Sequence, residues 1–159
     1  MKTLAKVLLT LLACLILLLV VVRMTGFEPH DRVPGLWLRG DLVSTPVTDW
    51  SFTDKVPQIH LQTETRYLLP HSVTINCIAY NGQLYVASVY PAGASRIWND
   101  DVMRDPHVRI QIGHQLYDRT LVPVTDPAEK EAVLKARATK YPQLKTPVNA
   151  IIHVFHVVG

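Results

Sequence analysis

The chain changes its hydrophobic rhythm once, near residue 23. From Leu4 to Val22, 17 of 19 residues are apolar, with only Lys6 and Thr10 interrupting. As a helix this run spans about 28 Å, close to the ~30 Å of a bilayer core. Beyond it the apolar positions alternate in short runs, the period of strands with one covered face. Gln58–Thr63 alternates, with Ile59 and Leu61 against His60 and Gln62. Val73, Ile75, Cys77 and Ala79 share one face of the next run. Asn81-Gly82 then leads into Leu84–Val89. Asn-Gly between two such runs predicts a hairpin, because a type I′ turn needs positive φ at both central residues. Val108, Ile110 and Ile112 alternate before Gly113-His114, and Gln115–Val124 returns, predicting a second hairpin. Ala150–Val158 closes the chain as a strand apolar on both faces except at His153 and His156. Short strands are also expected at Gly35–Gly40 and at Asp49–Thr53, the latter with Trp50 and Phe52 on one face.

Two helices fall among these strands. Ser95 is placed to cap a short one running to Met103, stopped by Asp105-Pro106. Asp126 caps a longer one, with Pro127 at its first position and Glu129 at its third. It must end before Pro142, about Lys140. So many strands in a small body favour closure into a barrel, which removes exposed edges. The fold class is therefore mainly β, of α+β type.

Charge sharpens this division. The chain has 159 residues and a formal net charge of +3. Lys2, Lys6 and Arg23 carry all of that excess, and residues 24–159 hold 13 basic and 13 acidic side chains. A neutral body lacks the concentrated cationic face that nucleic-acid binding needs. The apolar run reads as an uncleaved membrane anchor through residues 4–22. It ends in Val20-Val21-Val22-Arg23-Met24, without a small-x-small cleavage site. A cleaved signal, or a lipidated Cys14 after Leu11-Leu12-Ala13, are the alternatives. The cations before the helix put the N-terminus in the cytoplasm and the body on the extracytoplasmic, periplasmic side. The expected organisation is an anchor over 1–23, a linker over 24–35 and one domain over 36–159.

Chemical motifs are sparse. Phosphate-loop, dinucleotide and nucleophile-elbow patterns are absent. The seven histidines lack zinc-like spacing, so no metal site is expected. Cys14 and Cys77 do not suggest a disulfide, and Cys77 reads as a small buried hydrophobe. The stretch Thr63–Ser72, where one strand hands over to the best hairpin, is more informative. Arg66, His71 and Ser72 could hold a phosphate there, or the stretch is a solvated loop with Arg66 paired to Glu64. Arg96 and Trp98 open the short helix, whose free amides make a second candidate anion site. Trp98 reads as core, as a stacking platform, or as both.

The Thr65-Arg66 corner, the hairpin Ser72–Val89 through Asn81-Gly82, Trp98-Asn99, Asp105-Pro106-His107-Val108, Ile112-Gly113 and Val124-Thr125-Asp126-Pro127 occur in that order. Together they resemble the flavin-binding split-barrel superfamily, over about residues 36–158. That superfamily includes pyridoxamine-phosphate-oxidase-like and deazaflavin-dependent nitroreductase-like proteins. The resemblance implies a six-stranded split β-barrel with two peripheral helices, here preceded by one transmembrane helix. It implies a homodimer with FMN or a deazaflavin near the subunit interface, and oxidoreductase chemistry. In the deazaflavin branch the loop before the main hairpin is rich in Gly, Lys, Arg and Ser and grips the coenzyme's phosphates. The matching stretch here is Arg66–Ser72, where Arg66 remains, His71-Ser72 replace an Arg/Thr pair, and the glycines are gone. Arg66, His71, Ser72, Arg96 and Trp98 are thus the candidate cofactor-binding residues, with no catalytic residue assigned. The alternative is a cofactor-free barrel serving as an accessory or scaffold subunit of a membrane protein complex.

Overall fold

The computed structural model of the chain describes residues 2–67 and 69–159; Met1 and Leu68, the latter inside the Arg66–Ser72 stretch, lie outside the described residues. The chain opens with α1 (Lys2–Thr25), long and apolar enough to cross a membrane and with none of its side chains buried in the protein. It then follows an extended course to β1 (Asp41–Leu42) and a 3-10 turn at Ser51–Lys55. Next come β2 (Ile59–Glu64), β3 (Pro70–Ile75), β4 (Cys77–Tyr80), β5 (Gln83–Pro91) and α2 (Ile97–Arg104). The chain ends with β6 (His107–Ile112), β7 (Gln115–Pro123), α3 (Pro127–Lys140) and β8 (Ala150–Val158).

The strands join in the order β3-β2-β6-β7-β8-β5-β4, and β1 adds to β7 in parallel. The two ends of this path, β3 and β4, are consecutive in the chain and separated only by Asn76. The barrel is therefore closed by one covalent strand that pairs with β2 in its first half and with β5 in its second. Six strands were expected. The path holds seven because the single run Ser72–Tyr80 changes partner at Asn76 and counts twice.

The side chains follow from register. Ile59, Leu61, Cys77, Leu84, Val86, Ile110, Leu121 and Phe155 point inward and are almost fully buried. Tyr85 and Val154 point outward, and with Ile78 and Val133 form a second apolar cluster beneath α3. This is why β8 reads as apolar on both faces. The Asn81-Gly82 turn has φ of 51° and 74°, as the I′ geometry requires. Asp126 caps α3 by accepting from Ala128 N at 3.4 Å and Glu129 N at 3.0 Å. Glu129 does not reach back to complete a capping box; its carboxylate accepts from the Tyr85 hydroxyl at 2.8 Å.

Three local expectations are corrected. Gly35–Gly40 is extended chain whose only ladder contact is a bridge from Gly35 to Ser72; the strand forms further on, at β1. Asp49–Thr53 enters a 3-10 turn, because Asp49 Oδ1 accepts from Ser51 N at 2.9 Å and Thr53 Oγ1 donates to Trp50 O at 2.8 Å. Such local side-chain bonds compete with a ladder. Arg96, not Ser95, occupies the N-cap of α2, without a side-chain cap bond.

The end of α3 packs beside the seam at Asn76 and donates to backbone carbonyls around it. Lys140 Nζ donates to Thr53 O at 2.7 Å and to Cys77 O at 2.9 Å. The Tyr141 hydroxyl lies 2.8 Å from both Pro57 O and Cys77 O. Burial pushes the Cys77 thiol and the Tyr141 phenol above their usual pKa values, so both stay protonated and structural. Tyr141→Phe should cost about 1 kcal/mol, since Lys140 still serves Cys77 O, and Lys140→Met about 2–3 kcal/mol. Urea midpoints at unchanged m-value measure both; a Lys140→Met midpoint equal to that of the parent protein would refute the role of the seam.

Candidate functional site

The partner change at Asn76 opens a gap. β5 is nine residues long, and β4 covers only its first four, Gln83–Val86. From Ala87 onward β5 keeps β8 on one side, while β3 has turned away to β2. The gap between β3 and the second half of β5 is a cleft of about 830 Å³. Its floor comes from His71 and Thr74 of β3, Asn76 just beyond it, and Ala87, Ser88 and Val89 of β5. Arg96, Ile97 and Trp98 at the start of α2 form one wall, and Arg137 of α3 with Lys145 another. Asp31–Pro34, the tip of a tight turn bridged between His30 and Val33, forms a third.

Two properties characterise this cleft. His71 Nδ1, Thr74 Oγ1 and Ser88 Oγ are buried and have no hydrogen-bond partner. Buried polar atoms are nearly always satisfied, and three such orphans along one cleft mark the place of a missing polar ligand. Burial also holds the His71 imidazole below its ordinary pKa of 6.5, against an opposing pull from the Asp101 carboxylate. The second property is charge. Arg32, Arg96, Arg137 and Lys145 line the cleft, and none is ion-paired among the described residues. The one carboxylate lining it, Asp31, lies 3.8 Å from His30. Away from the cleft two cations are ion-paired: Arg109 makes bonds of 2.7 and 2.8 Å to Asp118, and Arg104 lies 3.7 Å from Asp101. A second cavity of about 540 Å³ holds Arg23, Arg109 and Arg119, but Glu64 and Asp118 line it as well.

The structure brings together three of the five residues expected to bind a cofactor. His71, Arg96 and Trp98 line the cleft. Trp98 is buried against Phe155, with ring centroids 6.0 Å apart, so it is both core and wall. Ser72 is fully buried beside the cleft, exchanging backbone bonds with Gly35 at 2.8 and 3.0 Å. A Cβ on Gly35 would stand 2.6 Å from Ser72 Oγ, so only glycine fits there. Arg66 is exposed in the turn after β2 and does not line the cleft. No ion pair joins it to Glu64 among the described residues. Arg32, Thr74, Ser88, Arg137 and Lys145 were not singled out from sequence. Ser88 did carry a signal, as a hydroxyl in register with the core positions Leu84, Val86 and Tyr90. The two lysine and arginine positions around the end of α3 carried none, because nothing local shows that they converge on β3.

No protein-family model matches the chain, and no curated protein matches it. Solved structures do. An F420-H2-dependent reductase is 26% identical, with a TM-score of 0.51 over 64% of this chain and 94% of that one. A chain solved as a domain-swapped dimer is 24% identical, with a TM-score of 0.53 over 64% and 80%. A pyridoxamine 5'-phosphate oxidase assignment from Listeria innocua is 16% identical, with a TM-score of 0.50 over 67% and 88%. The chain has the split-barrel fold of the flavin-binding superfamily.

The depressed His71 pKa has a stability consequence. The unfolded chain takes up a proton near pH 6.5 and the folded chain only at lower pH, so stability is fully present above 6.5 and falls on acidification. His71→Gln should shrink the difference in urea midpoint between about pH 7.5 and about pH 5.5. An unchanged difference would show that His71 does not titrate with folding.

Proposed function

We propose that this protein is a membrane-anchored split-barrel oxidoreductase that holds FMN or a deazaflavin in the cleft between β3 and β5. The observation that carries the reading is the pairing of four unmatched cations with three orphaned polar atoms in one cleft. That donor set suits a heteroaromatic ring with polar edges and a phosphate tail. His71, Thr74 and Ser88 would face the ring's polar edge, Trp98 would wall its apolar side, and Arg96 would lend positive charge. The bound group supplies hydride chemistry; the protein binds it, orients it and keeps water from it. The names of the neighbours, an F420-H2-dependent reductase and a pyridoxamine 5'-phosphate oxidase, agree with this class of chemistry. The domain-swapped dimer among them supports a homodimer.

A second reading, a cofactor-free accessory subunit of a membrane complex, draws on Arg66, which is exposed and off the cleft. The two separate in one experiment. The detergent-solubilised full chain should carry a flavin-type visible spectrum, or gain thermal stability with added FMN or deazaflavin. His71→Phe with Ser88→Val should lose at least about tenfold in affinity, because buried partners are removed from the ligand's polar edge. A colourless protein indifferent to both ligands would leave the accessory reading.

The anchor is part of the proposal. α1 holds the barrel on the extracytoplasmic side, with Lys2 and Lys6 on the cytoplasmic side. Protease added to intact cells with a permeabilised outer layer should then digest the barrel domain. Protection until the inner membrane is breached would reverse the orientation.

A further inference from the structure

Resting on the proposed cofactor cleft, we infer that the anionic end of its ligand is gripped by Arg137 and Lys145, with Arg96 and Arg32 closing the ring of charge, rather than by the Arg66 corner.

Arg137 carries most of the argument. It sits on the inward stripe of α3, with Val133 one turn before it and Lys140 one turn after. Val133 is fully buried in the apolar cluster, and Lys140 spends its ammonium on backbone carbonyls. Arg137 is half-buried between them, and its guanidinium has neither an ion-pair partner nor a hydrogen bond among the described residues. Burial lowers its pKa, the mark of a cation stripped of water without a partner in return. A guanidinium so placed is preorganised for a planar, bidentate anion such as a phosphate.

The other cations come from separate segments: Lys145 from the loop after α3, Arg96 from the N-cap of α2, and Arg32 from the turn between α1 and β1. Four cations and one carboxylate, Asp31, line the cleft, in a body whose residues 24–159 balance 13 basic against 13 acidic groups, and that is a local sorting of charge. The start of α2, whose N-cap Arg96 makes no side-chain cap bond, lines the same space. Arg66 has no such setting, being exposed beyond the end of β2.

The test compares FMN with riboflavin, which lacks the phosphate, on the full chain in detergent, together with inorganic pyrophosphate as a ring-free probe. FMN should bind at least about tenfold more tightly than riboflavin, and that advantage should shrink as salt rises. Arg137→Gln with Lys145→Gln should remove the advantage and leave riboflavin affinity unchanged. Lys145→Gln alone, at an exposed position, keeps the test valid if the double variant folds poorly, and should lose part of it. Lys135→Gln, on the outer face of α3, is the control and should change nothing. If both flavins bind alike in the parent protein, or the variants leave FMN affinity unchanged, the grip is refuted while the cofactor reading stands. If neither flavin binds, pyrophosphate decides. A rise in melting temperature in the parent protein that is absent in Arg137→Gln would uphold the grip without the flavin, and no rise would overturn it.

Discussion

One strand serving two partners governs this fold. Pro70–Ile75 pairs with β2 and Cys77–Tyr80 pairs with β5, so the barrel closes through a covalent hinge at Asn76. A strand cannot keep both neighbours along its whole length, and two things follow. Around the hinge, Lys140 and Tyr141 supply donors to the carbonyls of Thr53, Pro57 and Cys77. Half of β5 also loses its neighbour, and the space so left becomes the cleft. The site and the stabilising seam are two sides of the same event. α3 connects them, since Lys140 closes the seam and Arg137, one turn earlier, faces the cleft.

The charge balance of the body conceals how the charge is arranged. Composition shows equal numbers of acids and bases over residues 24–159 and argues against a broad anionic or cationic surface. It is silent on pairing. In the fold, Arg109 is neutralised by Asp118 on the adjacent strand, and Arg104 lies beside Asp101 one turn away. Four bases, Arg32, Arg96, Arg137 and Lys145, line the cleft against the single carboxylate of Asp31. A neutral protein thus presents a local positive field where its buried hydroxyls also lack partners. A cleft lined by one sign of charge focuses such a field.

Much of the fold was legible in the sequence where the signal is local. Asn81-Gly82 fixes its turn by backbone sterics, Asp126-Pro127 starts α3 by capping, and alternation reveals the β6–β7 hairpin and β8. The hinge at Asn76 was not legible, because the apolar alternation runs unbroken through Val73, Ile75, Cys77 and Ala79. Periodicity reports which face is covered and says nothing of which strand lies alongside. The turn at Ser51–Lys55 escapes periodicity for a related reason: Trp50 and Phe52 alternate, but Asp49 and Thr53 bind the backbone locally. At the site, His71, Arg96 and Trp98 were visible as chemistry beside a corner or a helix start. Arg137 and Lys145 become site residues only through long-range packing of α3 against the hinge.

The chain between the apolar helix and β1 bears on how the cleft relates to the membrane. The sequence pattern expects a linker over 24–35 and a short strand at Gly35–Gly40. Gly35 exchanges two backbone bonds with Ser72, Leu38 N donates to Gln62 Oε1 at 2.8 Å, and Gln111 Nε2 reaches Glu28 at 2.6 Å and Arg39 O at 2.7 Å. Gln62 and Gln111 are themselves buried, so these bonds are shielded from water and cannot be traded freely for solvent. The same segment carries Arg32 into the cleft wall. At its start Gly26 N continues the helix by bonding Val22 O, and Arg23 lies over the Trp37 ring at 5.7 Å. The apolar helix and one wall of the cleft are therefore joined by a short, hydrogen-bonded strap.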